Sequence, residues 1–315
     1  MTAQGHREVE HEITVLADAH TVYRLIAEVE NWPNIFPPSV HVDRVEHTGE
    51  TERIRIWATA NGEAKSWTSR RVLDPVGLRI EFRQEVSSPP VAAMGGAWVL
   101  EPVGQAETRV RLLHDYRAVG DDPDKLAWID AAVDTNSRSE LASLKAGIET
   151  ATGESERLLS IADTVRIAGS AKDVYDFVNE ADRWPERLPH VARVSFEETT
   201  PGLQVLEMDT KAKDGSTHTT KSIRVCFPHE RIVYKQIGLP ALMSLHTGHW
   251  EFVEDDGAVL ATSHHTVVVN TDNIAPVLGP DNGLADAREL IRTALSTNSR
   301  ATLQHAKDYA ENRDA

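Results

Sequence analysis

The chain has 315 residues, 40% hydrophobic and 26% charged, enough for two ordinary cores at about 100–200 residues per domain. A net charge of −16 excludes general binding to nucleic acid or anionic membranes, because neutralising phosphates needs clustered Lys and Arg. The single cysteine, Cys226, excludes an intrachain disulfide and a Cys-rich metal site. No apolar run approaches the roughly 18 residues of a membrane span, and the polar start is not that of a signal peptide. The expected location is the cytoplasm.

The chain opens on a predicted strand, Glu8–Ala17, followed by a helix carrying Val22, Leu25, Ile26 and Val29, with Asp18 as its N-cap. That helix must end before Pro33, since the residue preceding a proline is pushed out of the helical region. Six strand-like runs follow: Val40–Val45, Arg53–Thr59, Lys65–Leu73, Leu78–Val86, Ala97–Glu101 and Thr108–Val119. Turn residues separate them, and Asn61-Gly62 is the clearest two-residue hairpin signal. A long helix from Pro123 to Thr150 presents Leu126, Ile129, Val133, Leu141, Leu144 and Ile148 at helical spacing.

The same order then repeats. Val22-Tyr23 and Trp32-Pro33 recur as Val174-Tyr175 and Trp184-Pro185, 184 − 32 = 152 residues later. Ser69-x-Arg71 recurs as Ser222-x-Arg224, Trp98 as Trp250, and Thr135-Asn136-Ser137-Arg138 as Thr297-Asn298-Ser299-Arg300. Such a period is far longer than a solenoid unit, so it counts domains: residues 1–153 and 157–315, joined by a short polar segment. Copy two is expected to place a strand at Leu159–Ile167, a helix at Ala171–Asp182, strands between Val191 and Asn270 and a final helix from Ala285 to Ala310. The class is α+β. A curved antiparallel sheet wrapped around a long C-terminal helix satisfies the order and leaves space for a ligand between them.

Strand alternation assigns the faces. Trp67, Ser69 and Arg71 share one face, and Arg70 points the other way. On the last strand of copy one, Val110 and Leu112 continue into His114 and Tyr116, and His265 stands in copy two where His114 stands in copy one. Trp67, Trp98 and His114 are therefore expected around one cavity. Burying an unpaired guanidinium is expensive, so an inward Arg in both copies implies a partner in each, structural or ligand. The adjacent pair His264-His265 sends its rings to opposite faces, which is poor metal geometry. No Walker loop, dinucleotide fingerprint, His-Glu-x-x-His or Gly-x-Ser-x-Gly is present.

With Trp-Pro after the first helix, Trp67-x-Ser69-x-Arg71 on a central strand and Trp98 following, the chain resembles the di-domain aromatase/cyclases of bacterial aromatic (type II) polyketide synthases, which have tandem START-like (helix-grip) domains. The resemblance spans essentially the whole chain. It implies regiospecific first-ring aldol cyclisation and dehydration of an acyl-carrier-protein-bound poly-β-ketone, in partnership with the minimal synthase and without metal or organic cofactor. Carried over residue by residue, it matches Arg71 to the family's pocket arginine and Ser69 to its pocket serine as catalysts. His114, by the ordinary imidazole pKa near 6.5 and not by the resemblance, is the candidate general base if it lines the cavity. The resemblance makes Trp32, Trp67 and Trp98 the pocket-lining aromatics. Tyr116, from its place on another strand, and Ser222, Arg224 and Trp250, at the repeat positions of copy two, are expected to bind substrate as well. Ser39 stands near the place of a family tyrosine, and copy two has Thr220 where copy one has Trp67. Copy one is favoured as the cyclisation site, with copy two either a second pocket or a scaffold. Arg70, Arg79, Arg83 and Arg109 are candidates for a basic carrier-protein patch. A non-catalytic START-like carrier of a lipid, quinone or aromatic metabolite is the alternative.

Overall fold

The structure, a computed structural model, describes residues 6–60, 62–153, 155–211, 215 and 217–312, with backbone alone for 149–153 and 155. The chain divides into two compact units, residues 1–154 and 155–315.

In the first unit, strand β1 (His6–Val15) leads into α1 (Ala19–Ala27) and a one-turn helix α2 (Trp32–Ile35). Then come β2 (Ser39–Thr48), β3 (Thr51–Ala60), β4 (Glu63–Asp74), β5 (Arg79–Gln84), β6 (Val91–Gly104), β7 (Glu107–Ala118) and the long helix α3 (Pro123–Gly153). The sheet order is β1-β7-β6-β5-β4-β3-β2, antiparallel throughout. Each strand after β2 pairs with its predecessor, and β1 closes the far edge on β7.

Local chemistry sets the boundaries. Asp18 caps α1, accepting from the Thr21 amide at 3.0 Å. The helix stops at Ala27, and Pro33 begins a new turn, where its missing N–H removes no helical bond. The Trp32 indole folds back, Nε1 donating to the Ile26 carbonyl at 3.1 Å. Ala60 pairs with Glu63 across the two-residue turn, with Gly62 at φ +80°, the left-handed conformation such a turn requires; Asn61 lies outside the described residues. Ile129, Val133, Leu141, Leu144 and Ile148 of α3 are buried. The last three pack with Val22, Ile26, Trp98 and Leu112 in the main core of the unit.

The second unit repeats the plan with β8 (Leu158–Ile167), α4 (Ala171–Asn179), α5 (Trp184–Arg187), β9 (Val191–Thr200), β10 (Leu203–Lys211), β11 (Thr217–Phe227), β12 (Arg231–Gly238), β13 (Met243–Asp255) and β14 (Ala258–Val269). Its sheet order is β8-β14-β13-β12-β11-β10-β9. One feature is added: a short helix α6 (Ile274–Leu278) before the final helix α7 (Leu284–Glu311). Ile274 joins Leu242, Met243 and Ile291 in a separate buried cluster. At mid-length α7 buries Ser299 and Thr302 among its apolar residues, a polar stretch facing the sheet.

Candidate active site

The two inward arginines are both buried, 1% exposed for Arg71 and 2% for Arg224. Their anchors correspond. Arg71 Nη2 donates to the Ile26 carbonyl at 3.0 Å and its guanidinium lies 5.2 Å from the Trp32 ring. Arg224 Nη2 donates to the Val178 carbonyl at 2.7 Å, again 5.2 Å from a Trp ring, that of Trp184. The Trp-Pro turn is thus the floor on which each arginine sits.

The residue opposite differs. Glu52 faces Arg71 across β3 and β4, with its buried Oε1 3.2 Å from Arg71 Nη1. The other carboxylate oxygen accepts from Arg44 Nε at 2.7 Å. Burial lowers the Arg71 pKa to about 10 against the pull of Glu52, so the group is charged at neutral pH and neutralised locally. Across β10 and β11, Gln204 faces Arg224 instead. Arg224 Nε and Nη1 are buried without a hydrogen bond among the described residues, and desolvation pushes its pKa down. A buried cation with unfilled donors is costly unless something else fills them.

Arg224 lines a cavity of about 320 Å³ between the second sheet and α7, together with Ser222, Trp184 and Trp250. Tyr234, His246, His265 and Ser299 form another part of the wall. The Tyr234 hydroxyl lies 2.7 Å from His265 Nδ1, and His246 Nε2 lies 2.9 Å from the same atom. On the other side of the ring, Ser299 Oγ is 2.7 Å and Ser263 Oγ 3.1 Å from His265 Nε2. Burial lowers His265 to about 4, mildly opposed by Asp163, and His246 to about 3. Both imidazoles are neutral at pH 7, able to accept at one nitrogen and donate at the other. Burial also raises the Tyr234 phenol, which keeps its proton.

Copy one has no such cluster at the matching register positions. Gly96 pairs with His114 as Gly248 pairs with His265, yet Phe82 replaces Tyr234, Met94 replaces His246 and Leu112 replaces Ser263. Among the described residues, His114 Nδ1 has a single hydrogen-bond contact, Ser137 Oγ at 3.4 Å, and the Phe82 ring stands edge-on at 5.5 Å. Desolvation lowers this histidine to about 4 as well. Ser69 donates to the Arg83 carbonyl at 3.0 Å. Tyr116 is buried with Ile129 and Val133, donating to Asp130 at 2.6 Å; it is tied to α3. Trp32, Phe36 and Trp98 form a chain of rings, with centroids 5.6 and 6.3 Å apart. Trp67 is partly buried beside Ile54 and Ile56.

Sequence reasoning did not single out Tyr234, His246 or Ser299. The Thr-Asn-Ser-Arg repeat carried a usable signal: its serine is Ser137 beside His114 in one copy and Ser299 beside His265 in the other. Its arginine in copy two, Arg300, donates to the buried Asp163 at 2.6 Å. The suggested basic patch does not form. Arg70 pairs with Glu85, Arg79 with Glu81, Arg83 with Asp115, and Arg109 with Glu12 and Glu101. That outer face is a charge-balanced ladder.

Fold and site together define a tandem helix-grip protein with a cavity between sheet and helix that has a buried arginine in its wall. Two family profiles, both described as polyketide cyclase/dehydrase and lipid transport, match residues 6–149 and 167–289. The granaticin polyketide synthase bifunctional cyclase/dehydratase of Streptomyces virginiae is 56% identical, over 94% of this chain and 97% of that one. The crystal structure of the di-domain ARO/CYC BexL superposes with a TM-score of 0.91 at 66% identity, covering 97% of this chain and 99% of that one. For the di-domain ARO/CYC StfQ the values are 0.87 and 34%, with the same coverage. The chain belongs to the di-domain polyketide cyclase/dehydratase family.

Proposed function

We propose that the protein is a polyketide aromatase/cyclase that closes and dehydrates the first ring of a poly-β-ketone delivered on an acyl carrier protein by a type II synthase, in the cytoplasm, with its chemistry centred in the copy-two cavity. The observation that carries this is Arg224: buried, charged, lacking the carboxylate that Arg71 has, and open through Nε and Nη1.

The reaction needs a base, an electrostatic clamp and a second proton transfer. The α-proton of a methylene between two carbonyls passes to the Tyr234–His265–Ser299 cluster: a hydroxyl hydrogen-bonded to a ring nitrogen accepts it while handing its own proton to neutral His265. The resulting enolate carbon attacks a carbonyl carbon further along the chain, and a C–C bond forms as the carbonyl π-electrons move to oxygen. Arg224, itself buried and with Ser222 beside it on the same strand face, stabilises that oxyanion. The oxyanion takes back that proton from the protonated His265 cluster and becomes a hydroxyl, which returns His265 to its neutral form. Loss of a second α-proton to the histidine cluster, with protonation of the departing hydroxyl, releases water and leaves a double bond. Enolisation of the remaining ring ketones completes the aromatic ring. Tyr234 and Ser299, on opposite nitrogens of His265, can each donate or accept, so the cluster can pass the proton onward. Trp184 and Trp250 restrict the bends available to a flexible chain, and orientation alone contributes several kcal/mol.

Copy one serves mainly as the structural partner in this reading. Arg71 locks the Trp32 turn to Ile26 and is neutralised by Glu52, and Ser69 and Tyr116 already donate to backbone and to Asp130. The preference for copy one that the sequence suggested therefore moves to copy two. The carrier alternative gives no role to paired neutral histidines. The test is His265→Phe in a reconstituted minimal synthase: correctly cyclised, dehydrated product should fall at least tenfold while shunt products rise. Wild-type product from that variant would overturn the assignment.

A further inference from the structure

The strand that sends His265 inward sends His264 outward, and there it is not alone. His264 on β14 lies directly opposite His249 on β13, the two rings stacked with centroids 4.2 Å apart and planes 17° apart. Two residues further along β13, on the same face, Glu251 brings a carboxylate oxygen to 4.0 Å from His264 Nε2. One donor atom from each of His249, Glu251 and His264 lies within 4.8 Å of the others. The adjacent pair His264-His265 could not make this site; the cross-strand pair and the next residue on its face do.

We propose that His249, Glu251 and His264 form a surface site for a borderline divalent transition metal of the zinc class, separate from the cavity. Two imidazole nitrogens and one carboxylate are the donor set such ions prefer, and hard oxygen-seeking ions such as magnesium do not. Zinc–ligand bonds of about 2.0–2.2 Å place tetrahedral donors about 3.3 Å apart. The spread of up to 4.8 Å here exceeds that by about 1.5 Å, a gap for side-chain rotation to close, and the Glu251 head is about half exposed. Directly opposite His264 on the other flank, β8 carries the small Ala162, and a water would complete the coordination as the fourth ligand. A metal here would clamp β13 to β14, the two strands that carry His246, Trp250 and His265 into the cavity.

The experiment is a titration of tag-free, chelator-treated full-length protein with Zn²⁺, read by calorimetry and by the melting temperature. One equivalent should bind with micromolar or tighter affinity and raise the melting temperature, and Mg²⁺ at the same concentrations should do neither. His249→Ala/His264→Ala should abolish binding, and Glu251→Gln should weaken it at least tenfold. The protein has 14 histidines, so the double variant retains the other twelve as an internal control for non-specific binding. Its own metal-free melting curve reports whether it is folded. No binding by the wild type, or undiminished binding by the folded double variant, would overturn the proposal.

Discussion

At the scale of single residues, the two copies differ most where they look most alike. Arg71 and Arg224 share an anchor carbonyl and an aromatic floor, yet one faces Glu52 and the other Gln204. Neutralisation by an adjacent carboxylate makes the first a structural ion pair, whose loss would strand a buried charge. The histidines carry a different consequence. His265 and His246 are held well below the ordinary imidazole value by burial. The folded protein thus binds fewer protons than the unfolded chain between about pH 6.5 and pH 4. Stability therefore rises with pH across that window. The contribution is fully present above about pH 6.5, declines as pH falls, and is spent below about pH 4. For His265 alone it is on the order of 3 kcal/mol at 1.36 kcal/mol per pH unit. Chemical denaturation at pH 7.5 and pH 5 should show this loss, and His265→Phe should flatten the dependence. An unchanged slope in that variant would contradict the buried neutral state.

At the scale of elements, the sheet registers bring the cluster together, and one glycine makes the approach possible. Gly248 lies between Tyr234 and His265 in the ladder. A Cβ there would fall onto the Tyr234 ring and the His264 carbonyl. Gly248→Ala should therefore displace Tyr234 from His265 and cost about 1–3 kcal/mol, as overpacked cores do, with product formation falling further than stability explains. Gly96→Ala, which meets the Leu113 carbonyl and the Phe82 ring in copy one, should cost stability comparably and spare the chemistry. Melting curves and product profiles of the two variants separate these outcomes. The elements themselves were largely legible in the sequence. Asp18, Pro33 and the apolar stripe of the α3 helix each have a local physical signature, and the predicted runs and the observed strands overlap throughout. The short α6 helix was not legible, because five residues with an internal proline carry no helical period.

At the scale of the whole molecule, the repeat announced two homologous domains, and alternation put Arg71, Ser69 and Trp67 on one face with Arg70 on the other. Burial agrees: Arg71 and Ser69 are buried and Arg70 is exposed. The proposed distribution of chemistry between domains was not legible in the same way. It depends on which residue stands across the ladder from each arginine and from each histidine, and register is a property of the folded sheet. The same limit hid the cross-strand His249–His264 pair. In retrospect Glu52 and Gln204 sit at matching places in the repeat, but nothing short of the strand pairing marks them as the partners of Arg71 and Arg224.

Copy two is proposed to hold the reacting chain at Arg224, whose Nε and Nη1 have no hydrogen bond among the described residues. The most direct measurement is the product profile of a reconstituted minimal synthase supplied with Arg224→Met or with Glu52→Gln/Arg71→Met, each checked by its melting curve. The copy-one change removes both members of an ion pair, so it leaves no orphaned charge. Arg224→Met should melt within a few degrees of the wild type and lose at least nine-tenths of the correctly cyclised aromatic product. The Glu52→Gln/Arg71→Met variant, once shown to be folded, should retain most of it. Loss of product from the folded copy-one variant with full product from Arg224→Met would contradict the account and return ring closure to copy one.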